Sequence, residues 1–199
     1  MLLYAFNHEL ARAREVASEP TLALIRLTWW REVVEGAARK HEVATPLAAA
    51  LADGIFSRTD LAALIDAREA EAEPEIPDFD SFMNYARGTA GRLARIAGKV
   101  LGEDSGGIED LGTAYGISGI LRAAPFLARQ GRSLLPADGT APETIIGAAR
   151  GLLNGGGPRA ARAAWLPAVY ARRDLGKGFQ PRGIGDRLAV MRAAVTGRL

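Results

Sequence analysis

Cysteine is absent from this chain of 199 residues, which removes disulfides, thiolate metal sites and cysteine nucleophiles together. Histidine is nearly absent: His8 and His41 stand far apart without flanking ligands at metal spacing, so neither a histidine zinc site nor a Ser-His-Asp device is expected. No apolar run reaches the roughly 20 residues of a membrane span, and no charged start with a cleavage site precedes the first helical pattern. Charge of one sign is lacking too. The 25 basic and 23 acidic residues leave a net charge of only +2, which argues against a polyanion-binding surface and so against nucleic acid as a partner. Aromatics are 7% of the chain and β-branched runs are scarce, which disfavours sheet.

What is present is alanine, leucine and helical periodicity. A hydrophobic content of 48% is enough for a sizeable core, and a single domain over residues 1–199 is expected, all-α. The pattern is helical from the first residues, with Leu3, Phe6, Leu10, Ala13 and Ala17 on one side. A chain that begins inside a helix is what a fold missing an N-terminal part would present. Ser18 and Pro20 mark a cap and a restart, and the next helix carries Leu24, Leu27 and Val34 inward beside Trp29 and Trp30. Pro46 opens an alanine-rich helix, and Ser57 or Thr59 caps another that runs to Glu69. Glu69, Glu71, Glu73, Pro74, Glu75 and Pro77 form an acidic link. Glu69 and Glu73 have the spacing of a metal-binding pair, but beside two prolines a solvated turn is the expected reading.

A helix from Phe79, capped by Asp80 or Ser81, presents small residues at Gly88 and Gly91. The run Tyr115–Pro136 carries Gly116 and Gly119, which with Gly112 one turn earlier make a glycine stripe, and an apolar side at Ile117, Ile120, Leu121 and Ala124. Glycine inside a helix costs roughly 1 kcal/mol relative to alanine, so the stripe implies either a tight helix crossing or access for a ligand chain. Pro125 is expected to kink this helix, and Arg122, Arg129 and Arg132 lie along it. Gly155 to Pro158 breaks the chain before a helix through Trp165 and Tyr170 that is interrupted or restarted at Pro167, and a terminal amphipathic helix closes it.

Six segments, in order, resemble the squalene/phytoene synthase family: LYAF at Leu3–Phe6, WWRE with Arg31, YARGTAG at Tyr85–Gly91, ISGILR at Ile117–Arg122, GRSLLP at Gly131–Pro136 and WLPA at Trp165–Ala168. The resemblance implies a class I isoprenoid-synthase-type helical bundle with an apolar cavity for prenyl chains, and Mg ions between two aspartate-rich helices that hold the diphosphates. Carboxylates one turn apart are what such ions require.

This chain departs from that pattern. The family's acidic positions in the first helix are taken by Ala11, Arg12 and Glu15, and those in the second by Ala123 and Leu127. A shift of register does not help, because no Asp or Glu occurs from Ala114 to Ala137. Glu15 and Glu19 are four apart, but Pro20 adjoins the second and no helix supplies opposing acids. YAFN, RAREVASEP and IRLTWWREVVEG are similar to a branch of the family with degraded acidic motifs, which includes assembly-factor-like proteins of respiratory complex I.

The resemblance therefore implies a non-catalytic relative that keeps an apolar cavity and binds an isoprenoid or other apolar ligand, a protein partner or, peripherally, a membrane. It would be cytoplasmic and would need no cofactor. The alternative is a working prenyltransferase that condenses two prenyl diphosphates with Mg, in which Arg12, Arg14, Arg122, Arg129 and Arg132 would have to replace the missing carboxylates in holding the diphosphates. The candidate ligand contacts are Arg122, Tyr85, Tyr115, Gly91, Gly119, Arg12 and Arg132. Each has a plainer reading as well: Arg12 and Arg14 pairing with Glu9, Glu15 or Glu19, the tyrosines as core, and Arg122 buried against a partner such as Glu15 or a bound anion.

Overall fold

The structure, a computed structural model, describes residues 1–17, 19–154 and 156–199, so the cap expected at Ser18 and the Gly155 end of the expected break lie outside the described residues. Among the described residues the fold is all-α, with one isolated parallel bridge between Ile76 and Pro136. The chain divides into two compact units, Met1–Pro74 and Glu75–Leu199, and the division falls in the acidic, proline-punctuated link.

The first unit contains α1 (Leu2–Glu15), α2 (Pro20–Glu35), α3 (Ala44–Ala52) and α4 (Arg58–Glu69). Leu3, Phe6, Leu10 and Ala13 recur every three or four residues along α1 and are all buried. Phe6 meets the edge of Trp30 with ring centroids 5.4 Å apart. Proline suits the first position of α2, where its missing N–H would have had no partner. The helix ends at Gly36, whose φ of +122° suits glycine, and Arg58 donates to the Val34 carbonyl there, a cation at the negative end of the helix. Leu27 and Val34 of α2 are buried as expected. Leu24 is not: it is 39% exposed, because the buried stripe of α2 runs through Ala23, Leu27, Trp30 and Val34.

The motif arginine Arg31 reaches α4, bonding both Asp66 and Glu69, the latter at 2.6 Å. These carboxylates, Asp66 first, raise its already high pKa. Glu71 in turn receives Arg68 at 2.6 Å, and its carbonyl receives Arg14 Nε at 3.2 Å. Two glutamates of the acidic link are thus engaged by arginines of their own unit. Ser57 caps α4 as expected, its hydroxyl accepting from the Asp60 N–H.

The second unit runs α5 (Phe79–Ala86), a π-helical turn (Arg87–Gly91), α6 (Arg92–Val100), α7 (Gly106–Arg129), α8 (Pro142–Leu152), α9 (Arg162–Trp165), α10 (Ala168–Lys177) and α11 (Ile184–Thr196). The cap of α5 is Asp78, whose carboxylate accepts the Ser81 N–H at 2.7 Å. Asp80 and Ser81, the expected caps, already lie inside the first turn. Ile108, Leu111, Ala114, Ile117 and Ile120 line the buried side of α7 at helical spacing. The helix continues through Pro125 to Arg129. The GRSLLP segment then leaves by a turn at Gly131, with φ +67°, and pairs back on the start of α5: Ala137 N–H donates to Ile76 at 2.8 Å and Phe79 N–H to Asp138 at 3.1 Å.

Candidate functional site

The π-helical turn Arg87–Gly91 falls within the YARGTAG motif, and the Thr89 hydroxyl bonds back to the Tyr85 carbonyl at 2.7 Å. Such turns insert one extra residue into a helix and re-aim the side chains after it. Here the turn and α6 bring small residues against α7. A Cβ on Gly112 would lie 2.5 Å from the Ala94 methyl and 2.7 Å from the Ala90 carbonyl, and one on Gly116 would lie 2.6 Å from the Ala90 methyl. Gly91 faces Thr113, with 2.3 Å left for a Cβ. The glycine stripe is therefore a helix crossing at Gly112 and Gly116. Gly119 is not part of it, since a Cβ there meets nothing within 4 Å.

One turn beyond the crossing, α7 presents Ser118 and Arg122 to α10. Asp174, only 5% exposed, accepts the Ser118 hydroxyl at 3.2 Å and takes the Arg122 fork on both oxygens, Nε at 3.2 Å and Nη2 as the second prong. Arg182 adds a third cationic contact to the same carboxylate at 3.1 Å. Gly178, with φ +80°, turns the chain after α10 so that the Gln180 carbonyl receives Arg122 Nη1 at 3.2 Å. Arg182 also lies over the Tyr170 ring, 4.2 Å from its centroid.

This cluster sets two guanidinium groups against one buried carboxylate. A planar fork satisfied on both prongs is fixed in direction, and a carboxylate with three donor groups has its acceptor sites occupied. The arrangement is suited to locking α7, α10 and the 178–182 loop together, not to transferring protons or attacking a substrate.

The remaining candidates belong to both units. Tyr85 is buried, but Tyr115, expected at the same cavity, stands 36% exposed on α7, because the buried face passes through Ala114 and Ile117 on either side of it. Arg132 is half-buried in the turn after α7, its backbone N–H donating to Leu127. In the first unit Arg12 pairs with Glu9 at 3.7 Å, while Glu15 is exposed. Ala11, Ala123 and Leu127 are half-buried side chains without donor atoms. Arg122, expected against a partner such as Glu15 or a bound anion, pairs with Asp174. Asp174, Ser118 and Arg182 are site residues that sequence reasoning missed. A signal was available: Asp174 is the one acid between Glu143 and Asp186, and an arginine on an apolar helix needs a carboxylate.

The family described as squalene/phytoene synthase matches residues 1–175. The chain belongs to the squalene/phytoene synthase family. Its all-α build agrees with the isoprenoid-synthase type, and the match takes in residues from both units and stops before α11. Among similar proteins is the one named NADH dehydrogenase (ubiquinone) complex I, assembly factor 6 of Mus musculus, 30% identical over 145 residues. Those of the same name in Bos taurus and Homo sapiens are each 29% identical over 150 residues. Each match covers 68% of this chain and 44% of the relative, so the chain spans less than half of those proteins.

The Mg ions that the family resemblance implies do not fit the residues present. At the second acidic motif Ala123 and Leu127 offer no oxygen, and the nearby carboxylate of Asp174 already holds two arginines and a serine. At the first, Arg12 brings the wrong charge. Among the described residues no three His, Asp or Glu side chains gather as a metal site.

Proposed function

We propose that this chain is a non-catalytic member of the squalene/phytoene synthase family that acts by binding a protein partner, as an assembly factor for a complex I-type NADH dehydrogenase. The observation that carries the reading is the Arg122–Asp174 pair. Where the family pattern calls for metal-holding carboxylates, this chain has Ala123 and Leu127, directly after an arginine already paired with Asp174. The names of the similar proteins support the role in assembly.

The reading includes no cofactor. It leaves an isoprenoid or other apolar molecule as a bound ligand and not a substrate. It places the protein in the cytoplasm, and no helix among the described residues is long and apolar enough to cross a membrane. Prenyl condensation would require arginines to stabilise a departing diphosphate without metal, a task worth several kcal/mol of transition-state stabilisation. Arg122, first among them, is already bound to Asp174.

Deletion of the chain in its own cell tests the role. The amount of assembled NADH dehydrogenase is expected to fall and to recover on re-expression, including re-expression of the Arg12→Gln variant. An unchanged amount of assembled enzyme would overturn the reading.

A further inference from the structure

Residues 176–199 lie beyond the stretch that matches the family, and they end in α11. One side of this helix is held by the second unit: Ala193 is buried, Asp186 pairs with Arg173, and Arg162 donates to the Ala194 carbonyl. The other side is also apolar. Ile184, Leu188, Met191 and Val195 are 77%, 58%, 64% and 80% exposed. At helical pitch they fall within an arc of roughly 60°, a continuous and largely exposed stripe. A helix with one apolar face against its own unit and a second apolar stripe outward, separated by charged residues, has a stripe that calls for an occupant.

The charges around the stripe indicate which. Residues 176–199 contain Lys177, Arg182, Arg187, Arg192 and Arg198 against the single acid Asp186; Asp186 is engaged by Arg173 and Arg182 by Asp174, which leaves Lys177, Arg187, Arg192 and Arg198 as the basic residues around the stripe. Arg187 and Arg192, both exposed, flank the stripe on its two sides. Beside it runs a groove of about 640 Å³ lined by Arg172, Lys177, Leu188, Arg192 and Arg198, so that Leu188 belongs to both stripe and groove.

We propose that α11 and this groove form a docking surface for an anionic phospholipid bilayer, with the stripe seated among the acyl chains and the arginines at the phosphate plane. An apolar stripe between cationic flanks, with a cationic groove alongside, matches a layer of phosphates above hydrocarbon. A second copy meeting this face symmetrically would set arginine against arginine. The proposal does not depend on whether the chain is catalytic.

The test is flotation of the full chain with phosphatidylcholine vesicles, with and without phosphatidylglycerol. The wild type is expected to float with the anionic vesicles, and less so as salt is raised. Arg187→Gln with Arg192→Gln should weaken partition about 30-fold, at roughly fivefold per arginine. Leu188→Ser with Met191→Ser should weaken it about tenfold or more. All four side chains are exposed, so unchanged circular dichroism is expected for both variants. Failure to float with anionic vesicles, or flotation that the variants leave intact, would overturn the proposal. So would self-association or capture of a protein that Leu188→Ser with Met191→Ser abolishes while vesicles go unbound.

Discussion

Arg122 on α7 and Asp174 on α10, 52 residues apart in sequence, meet in a two-pronged ion pair directly before Ala123 and Leu127, the positions where this family's pattern calls for metal-binding acids. The pair is a joint between the two helices. An arginine on the apolar helix α7 would be costly without Asp174.

Asp174→Asn should therefore destabilise the second unit. It leaves Arg122 and Arg182 without their counter-charge, and breaking a buried pair costs about 3 kcal/mol at the lower end, which suits an arginine still 29% exposed. Arg122→Met combined with Asp174→Leu should recover much of that loss, since both charges go together. Urea denaturation of the three proteins checks it. A neutral Asp174→Asn would mean that the joint is not structural.

The glycines of α7 should respond in opposite directions. Gly112→Ala pushes a methyl against the Ala90 carbonyl and the Ala94 methyl, and such overpacking costs about 2 kcal/mol. Gly119→Ala meets open space and should stabilise the helix by about 0.5–1 kcal/mol. Thermal midpoints moving in the same direction would contradict the crossing geometry.

Much of this fold is legible in the sequence, and the departures have physical causes. Local periodicity locates α1 and, at Ile117 and Ile120, part of the buried side of α7, where the expected Leu121 and Ala124 are only half-buried, because burial repeats with the helix turn. The cap of α5 sits two or three residues before its expected place, because Asp78, Asp80 and Ser81 all have capping side chains and only the backbone distinguishes them. Tyr115 is exposed, where a cavity-lining or core position is expected, because a position beside a buried face can turn to solvent by one residue's rotation. The Arg122–Asp174 joint is hidden for a different reason. It links distant segments, and periodicity carries no information about which helices meet.

Asp186 at the start of α11 supplies a pH-dependent hold. Its carboxylate accepts the Gly183 N–H first of all and then Arg173, and together these hold it below the ordinary carboxylate range. A depressed folded value means the contribution is present above the unfolded value of about 3.9 and is lost as pH falls through the folded one. Carbon NMR titration should show Asp186 protonating below its ordinary range, and Arg173→Ala should move it upward. Titration at the ordinary value in the wild type would contradict this.

Whether the chain is an enzyme is decided by product formation from farnesyl or geranylgeranyl diphosphate with folded protein, in Mg and in EDTA. No condensation product is expected in either condition. Mg-dependent condensation at an enzyme-like rate, about 1 per second or faster, would contradict the non-catalytic reading and mean that acids outside the family's motif positions hold the metal.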